Sequence, residues 1–375
     1  MFCFPKTFVV RLISRVFQTL IFSLFLFFSG CFREPTPEPA QERSSLPPLP
    51  PAGMALIPSG TFSMGSDAAY SFINERPSHE VTVRAFFIAI NDVTNAQFAK
   101  FVTETHYVTV AERPINWEEM KKQVPPGTPK PRDEDLQPGS LVFKTTEGPV
   151  DLSNMANWWV WTLGASWKHP EGPDSTLEGR ENHPVVHIAY EDAVAYAKWA
   201  KGRLPTEAEW EFAARGGLVR ARFAWGDGNP HPAAGRHRAN TWTGNFPWRN
   251  TTDDGYAGTS PAGSFPPNSY GLYDMGGNVW NWCSDIYAAD TYTQRADHPE
   301  FCSNPSGPSA SAGRQWIVGD PSPAAVPGEL RHVIKGGSFL CAPSYCESYR
   351  PSARRGSPPD TSTSHIGFRI VMDLP

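Results

Sequence analysis

Positive charge is scarce in this sequence: its 375 residues include 33 Lys and Arg against 38 Asp and Glu, a net charge of −5. That excludes the broad basic footprint of a nucleic-acid binder. Charged residues reach only 19% and hydrophobic residues 40%, which excludes wholesale disorder and leaves material for a packed core. No segment recurs with a period of about 20–50 residues, so solenoids and propellers are excluded. Neither His-Glu-x-x-His nor His-x-His occurs among the ten histidines, which removes the usual signature of a hydrolytic zinc enzyme. The apolar run at residues 16–28 falls short of the ~20 residues that a membrane span needs.

What is abundant is loop material. The 38 Pro and 31 Gly make about 18% of the chain, against roughly 12% on average. Thirteen Trp add large amphipathic side chains that suit the pinning of irregular backbone and the lining of a cleft. The length allows two domains or one large one.

The N-terminus reads as an address. Lys6, Arg11 and Arg15 precede the apolar run, and small residues follow it. Phe28-Ser29-Gly30-Cys31 resembles a bacterial lipoprotein box, with residues 1–30 as signal peptide and Cys31 as the lipidated first residue. Residues 31–52 continue as a Pro-rich tether, extended and solvated. The expected location is therefore an exported, membrane-anchored lipoprotein facing the periplasm or the cell surface.

From residue 53 to 375 a single domain is expected. Residues 55–64 and 79–90 carry β-branched and aromatic residues around a Pro-Ser-Gly turn and predict strands. Thr94-Asn95-Ala96-Gln97 is a capping box that opens a helix through Phe98, Phe101 and Val102. Residues 191–201 predict a second helix, stopped at Gly202. A capping box from Thr206 to Glu209 opens a third, ending at Gly216-Gly217. Residues 121–140 and 296–330 read as surface loops, and 332–339 and 366–372 as closing strands. The sum is an α+β chain with little regular secondary structure.

Four segments carry a resemblance: WKHPEGPDST (167–176), HPVVHIAYEDAVAYAKWAKGRLPTEAEWEFAARGG (183–217), NSYGLYDMGGNVWNW (268–282) and KGGSFLCAPSYCESYRPSARRGSPPDTSTSHIGFR (335–369). They are similar to the sulfatase-modifying, formylglycine-generating enzyme family, across roughly residues 53–372. The resemblance implies an irregular, loop-rich fold distantly like C-type lectins. GRLPTEAEWE and GGNVW mark only the superfamily; the Cys341-x4-Cys346 pair is the discriminating feature.

Two of the six cysteines, Cys3 and Cys31, belong to the signal and the lipid site. An even four in an exported protein suggests two disulfides, and Cys283 with Cys302 is expected to form one. For Cys341 and Cys346 the resemblance implies instead a Cu(I) site, joined by the thiolate of a substrate cysteine, with dioxygen as co-substrate. Two thiolates are soft donors that suit Cu(I). A Cys2His zinc site with His365 is an alternative, but zinc is not redox-active. The implied substrate is a cysteine in a Cys-x-Pro-x-Arg segment of an unfolded sulfatase, which becomes Cα-formylglycine. An uncharged cleft rimmed by Trp and Tyr would suit it. Ser338, Tyr345 and Trp280 match family positions beside the cysteines, although Trp280 and Tyr345 are also ordinary core residues and Ser338 could simply satisfy backbone.

The resemblance further implies two calcium sites. One comprises Asn240, Asp254 and the carbonyls of Thr241 and Tyr256. The other comprises Asp274, the carbonyls of Gly277 and Val279, and position 281, where Asn281 replaces the usual Glu. Loops rich in Asn and Asp supply the oxygen donors Ca²⁺ prefers, though such residues also serve ordinary turns. A monomer is expected. The competing function is a non-catalytic surface lipoprotein that uses this fold for binding or assembly; a sulfoxide synthase would want an added helical domain with an iron-binding His cluster, for which there is no room.

Overall fold

In the computed structural model, which describes residues 48–121, 127–233, 236–310 and 330–375, each capping box opens a helix. The expected signal peptide, Cys31 and the expected tether as far as residue 47 lie outside the described residues. Helix α1 (Asn95–Thr105) starts where Gln97 N–H donates to Thr94 Oγ1 at 3.3 Å and Thr94 N–H donates to Gln97 Oε1 at 2.9 Å. The four-residue α2 (Trp117–Met120) follows, then α3 (Tyr190–Trp199) and α4 (Glu207–Arg215). Thr206 and Glu209 form the second box, and Gly216 closes α4 at φ 55°, a left-handed conformation that glycine adopts without strain. Among the described residues no helix is long and apolar enough to cross a membrane.

The expected strands are present but broken. Residues 55–64 divide at Pro58 into β1 (Met54–Ile57) and β2 (Gly60–Met64); residues 79–90 divide into β3 (His79–Val83) and β4 (Phe86–Ala89). Pro58 has no N–H to give a ladder, so pairing changes partner there. β2 pairs with β3, and β1 with β4, which also takes β13 (Val371–Asp373).

Two hairpins, β5–β6 (Gly139–Phe143 and Trp159–Leu163) and β7–β8 (Gly244–Asn245 and Arg249–Asn250), were not legible as strands. Nor was the helix α5 (Thr291–Asp297), which reaches into the expected 296–330 loop.

The sheet that carries the site has the order β11-β10-β9-β12: Arg354–Ser357, His332–Lys335, Trp280–Ile286 and Ile366–Gly367. The expected strand at 332–339 stops at Lys335 because Gly336 and Gly337 turn away at φ 90° and 67°. No side chain fits there, since a Cβ on Gly336 would lie 2.9 Å from the Trp210 ring. The chain then loops from 336 to 353 and returns as β11.

Both ends of that loop are tied to α4 by buried charge. Glu207 accepts from Arg354 Nε and Nη2 at 2.6 and 3.0 Å, and Glu211 accepts from Lys335 Nζ at 3.0 Å. A third buried pair joins Arg350, inside the loop, to Glu75 at 2.6 and 2.7 Å. Burial pushes the Glu211 carboxyl up, but the charges of Lys335 and Arg215 outweigh it and bring it down to about 2. Removing one partner of such a pair strands the other, which typically costs ~3–5 kcal/mol, whereas an exposed pair contributes about 0–1 kcal/mol. Glu207→Ala is therefore expected to lower the unfolding free energy in urea by about 3–5 kcal/mol. Glu191→Ala, which breaks the exposed pair with Arg113, is expected to lower it by under ~1 kcal/mol. Equal losses would contradict this reading.

Candidate active site

Between Gly337 and Arg350 the backbone folds onto itself. Cys341 N–H donates to the Ser338 carbonyl at 2.9 Å, and the Ala342 carbonyl collects the N–H groups of Tyr345, Cys346 and Glu347, each at 3.0 Å. This tight turn is what the four-residue spacing makes: it returns Cys346 to Cys341, with the two Sγ atoms 2.6 Å apart and both thiols free. Cys341 is buried and Cys346 half-buried. Burial pushes the Cys341 thiol well up. Burial acts on Cys346 too, but the bond with Cys341, the charge of Arg355 and the contacts of Ser348 outweigh it and bring it to about 7. Burial therefore dominates at Cys341, while its neighbours favour the thiolate at Cys346.

Both thiols open onto a cleft of about 870 Å³. Trp280 on β9, Ser338 at the loop entry and Tyr345 within the loop all line it, so every residue predicted to be catalytic is brought to one cavity. Tyr345 stacks on Phe246 (4.6 Å, 10°) and meets Trp158 edge-on at 5.5 Å. Burial and the nearby Cys346 push its phenol up to about 12, so it remains an O–H donor. The Ser338 hydroxyl accepts from Leu340 N–H at 3.2 Å, which gives it a backbone role as well as a place in the wall. Trp158, Trp159 and Phe246 complete an aromatic rim that the sequence did not single out; the hairpin β5–β6 and the turn between β7 and β8 carry them.

Three expectations need correction. The cleft is not uncharged, since Arg331 and Arg355 line it. Cys283 and Cys302 are free thiols: Cys283 points from β9 into the core, where burial pushes its pKa well up, and Cys302 S–H donates to the Arg295 carbonyl at 3.4 Å. His365 lines the cleft but does not complete a Cys2His set. Its Nδ1 lies 2.7 Å from Thr363 Oγ1 and its ring packs against Trp159, and no three His, Cys, Asp or Glu side chains gather as metal ligands among the described residues.

For Cu(I) the donor types fit: two sulfurs brought together on the wall of the cleft, with the cleft side left open for an incoming thiol. The first calcium loop also fits. Asp254 accepts from the N–H groups of Thr241 and Tyr256 at 3.0 and 3.1 Å, which holds the four predicted residues together. Asn240 Nδ2 is spent on the Gly258 carbonyl, while its Oδ1 is buried without a hydrogen-bond partner. A buried oxygen without a partner, in a loop region that also carries a buried carboxylate, suits a cation ligand.

The second predicted set (Asp274, Gly277, Val279 and Asn281) does not fit. Asn281 Oδ1 already accepts from Trp210 Nε1 at 3.0 Å and Arg369 Nε at 2.8 Å. Where Glu is usual, the shorter amide joins Arg369 and Asp92 Oδ1 in one network, in which the guanidinium supplies the positive charge and Asp92 Oδ2 is left without a partner. Asp274, pushed up to about 7 by burial and by Asp92, accepts from Gly263 N–H at 2.8 Å.

Comparison with known proteins agrees with this geometry. The family model "Sulfatase-modifying factor enzyme 1-like domain" matches residues 40–374. The formylglycine-generating enzyme of Mycobacterium tuberculosis is 48% identical over 84% of this chain and 96% of its own length. That of Thermomonospora curvata is 44% identical over 86% and 93%. Among solved structures, PvdO from Pseudomonas aeruginosa shares the fold with a TM-score of 0.52 at 23% identity, over 86% of this chain and 94% of its own. The thiol loop, its cleft and these matches place the chain in the formylglycine-generating, sulfatase-modifying enzyme family.

Proposed function

We propose that this chain oxidises a cysteine of an unfolded sulfatase, in a Cys-x-Pro-x-Arg segment, to Cα-formylglycine, with Cu(I) held by Cys341 and Cys346 and with dioxygen as oxidant. The observation that carries it is the pair of free thiols 2.6 Å apart on the wall of a cleft large enough for a peptide. A binding module would have no need of two adjacent thiols on its cleft wall.

The balance of the reaction sets what the cleft must do. Converting a CH2–SH group to an aldehyde removes two electrons and two protons, takes the aldehyde oxygen from a water molecule and releases the sulfur as sulfide. Reduction of dioxygen to water takes four, so a thiol reductant supplies the other two by closing to a disulfide. Bound copper supplies the one-electron chemistry that lets dioxygen react. The chain's own residues do the rest. Cys346, whose neighbours favour the thiolate, and Cys341 grip the soft metal. The aromatic rim offers apolar faces against which the client segment can pack while one water reaches the oxidised carbon and displaces the sulfur. The Tyr345 hydroxyl stays protonated and offers a hydrogen bond at the cleft wall. Calcium at Asn240, Thr241, Asp254 and Tyr256 would order a loop that touches the site directly, since Trp242 N–H donates to the Cys341 carbonyl at 3.1 Å.

Replacing Cys341 or Cys346 by Ser exchanges a soft thiolate for a poor hydroxyl donor. Either variant is expected to lose stoichiometric Cu(I) and at least about 100-fold in peptide oxidation, read as the mass loss of cysteine to formylglycine. Cys283→Ser and Cys302→Ser should keep both. Full activity in Cys341→Ser or Cys346→Ser would refute the mechanism.

Calcium is expected to raise the melting temperature, because a ligand bound only by the native state adds about 2.7 kcal/mol at a hundredfold excess over its dissociation constant. Chelator should remove the gain and Asp254→Ala should abolish the response. Melting curves indifferent to calcium and chelator, with no calcium found by metal analysis, would dispose of the site.

A further inference from the structure

One positive charge of the cleft wall, that of Arg355, has no carboxylate partner among the described residues. Arg331 and Arg355 contribute to its wall, and no Asp or Glu among the described residues does. Successive side chains of a strand face opposite ways, and β11 shows the consequence. Arg354 turns inward and is neutralised by Glu207. Arg355, one residue on, turns to the cleft and meets no carboxylate among the described residues. Its guanidinium packs over Phe72 at 4.6 Å, and Nη2 makes one long contact, 3.4 Å, with Ser348 Oγ. Phe72 lines the same cleft. The fork is thus held in place by a ring and one weak bond, with most of its five N–H donors uncommitted.

Other half-buried guanidinium groups are committed: Arg203 pairs with Glu209 and Asp373, Arg222 with Glu347, and Arg76 donates to the carbonyls of Ala68 and Ser71. A planar, pre-positioned fork that faces the Cys346 thiol but has no carboxylate partner is suited to a carboxylate arriving with the ligand. We infer that Arg355 is a specificity-determining residue that selects client segments bearing an acidic side chain within a few residues of the target cysteine. The inference rests on the cleft being the client site. It also orients the segment, because the arginine of the client motif is repelled from the Arg355 end and the acidic residue is drawn to it.

The test separates binding from turnover. Peptides with Ser in place of the target cysteine carry Asp, Asn or Lys at each position flanking it, and their binding to the full-length, reduced, metal-free protein is read by fluorescence anisotropy. At one position or more, the Asp peptide is expected to bind about tenfold more tightly than the Lys peptide, with the difference shrinking as salt rises. Arg355→Gln should bring the two within about twofold of each other, whatever it does to absolute affinity, while Arg355→Lys should keep part of the preference. A wild-type protein indifferent to peptide charge, or a preference that survives Arg355→Gln, would overturn the inference and leave the oxidase reading standing. An Arg355-dependent preference in a protein that oxidises no cysteine peptide would uphold the inference and overturn that reading. Binding of none of the peptides would overturn both.

Discussion

Two carboxylates one helical turn apart on α4 hold the strands from which the thiol loop springs. Glu207 takes Arg354 at the start of β11, Glu211 takes Lys335 at the end of β10, and both lie on the buried face of the helix. Buried ion pairs add little net stability over an apolar replacement, because desolvation cancels much of the attraction. What they add here is position. A carboxylate and a guanidinium that must find each other inside a dry core tolerate little displacement, so the loop ends are fixed to α4, and Arg350 with Glu75 fixes a point between. Within that frame the Ala342 carbonyl turn sets the sulfur-to-sulfur distance.

The same logic explains what could be read from the sequence. Thr94 and Thr206 announce their helices because a capping box is satisfied locally, within four residues. The Cys341–Cys346 spacing was legible for a similar reason, since it closes through one short turn. Glu207 and Glu211 stand in a motif that identified the superfamily, yet their partners 147 and 124 residues away could not be inferred from spacing. Partnership at that range is decided by packing.

Failures fall where orientation matters more than proximity in sequence. Cys283 and Cys302 looked like a bridge across a loop, but β9 aims Cys283 into the core and Cys302 bonds a carbonyl of α5. Asn281 looked like a weakened calcium ligand, whereas its oxygen is closed off by Trp210 and Arg369. The β5–β6 hairpin gave no clear alternation because β6 leaves Val160, Trp161 and Leu163 exposed together, so no face reads as buried. Arg355 was hidden beside Arg354: strand alternation sends one to a carboxylate and the other to the cleft, and only a correct register distinguishes them.

Copper held jointly by Cys341 and Cys346 is the claim on which the rest of the function depends. X-ray absorption at the copper edge of the reduced, Cu(I)-loaded protein tests it most directly, since it counts the atoms around the metal without requiring turnover. Two sulfur neighbours per copper are expected in the wild-type protein, and one fewer in Cys346→Ser. A shell of nitrogen or oxygen, or a spectrum that Cys346→Ser leaves unchanged, would contradict it.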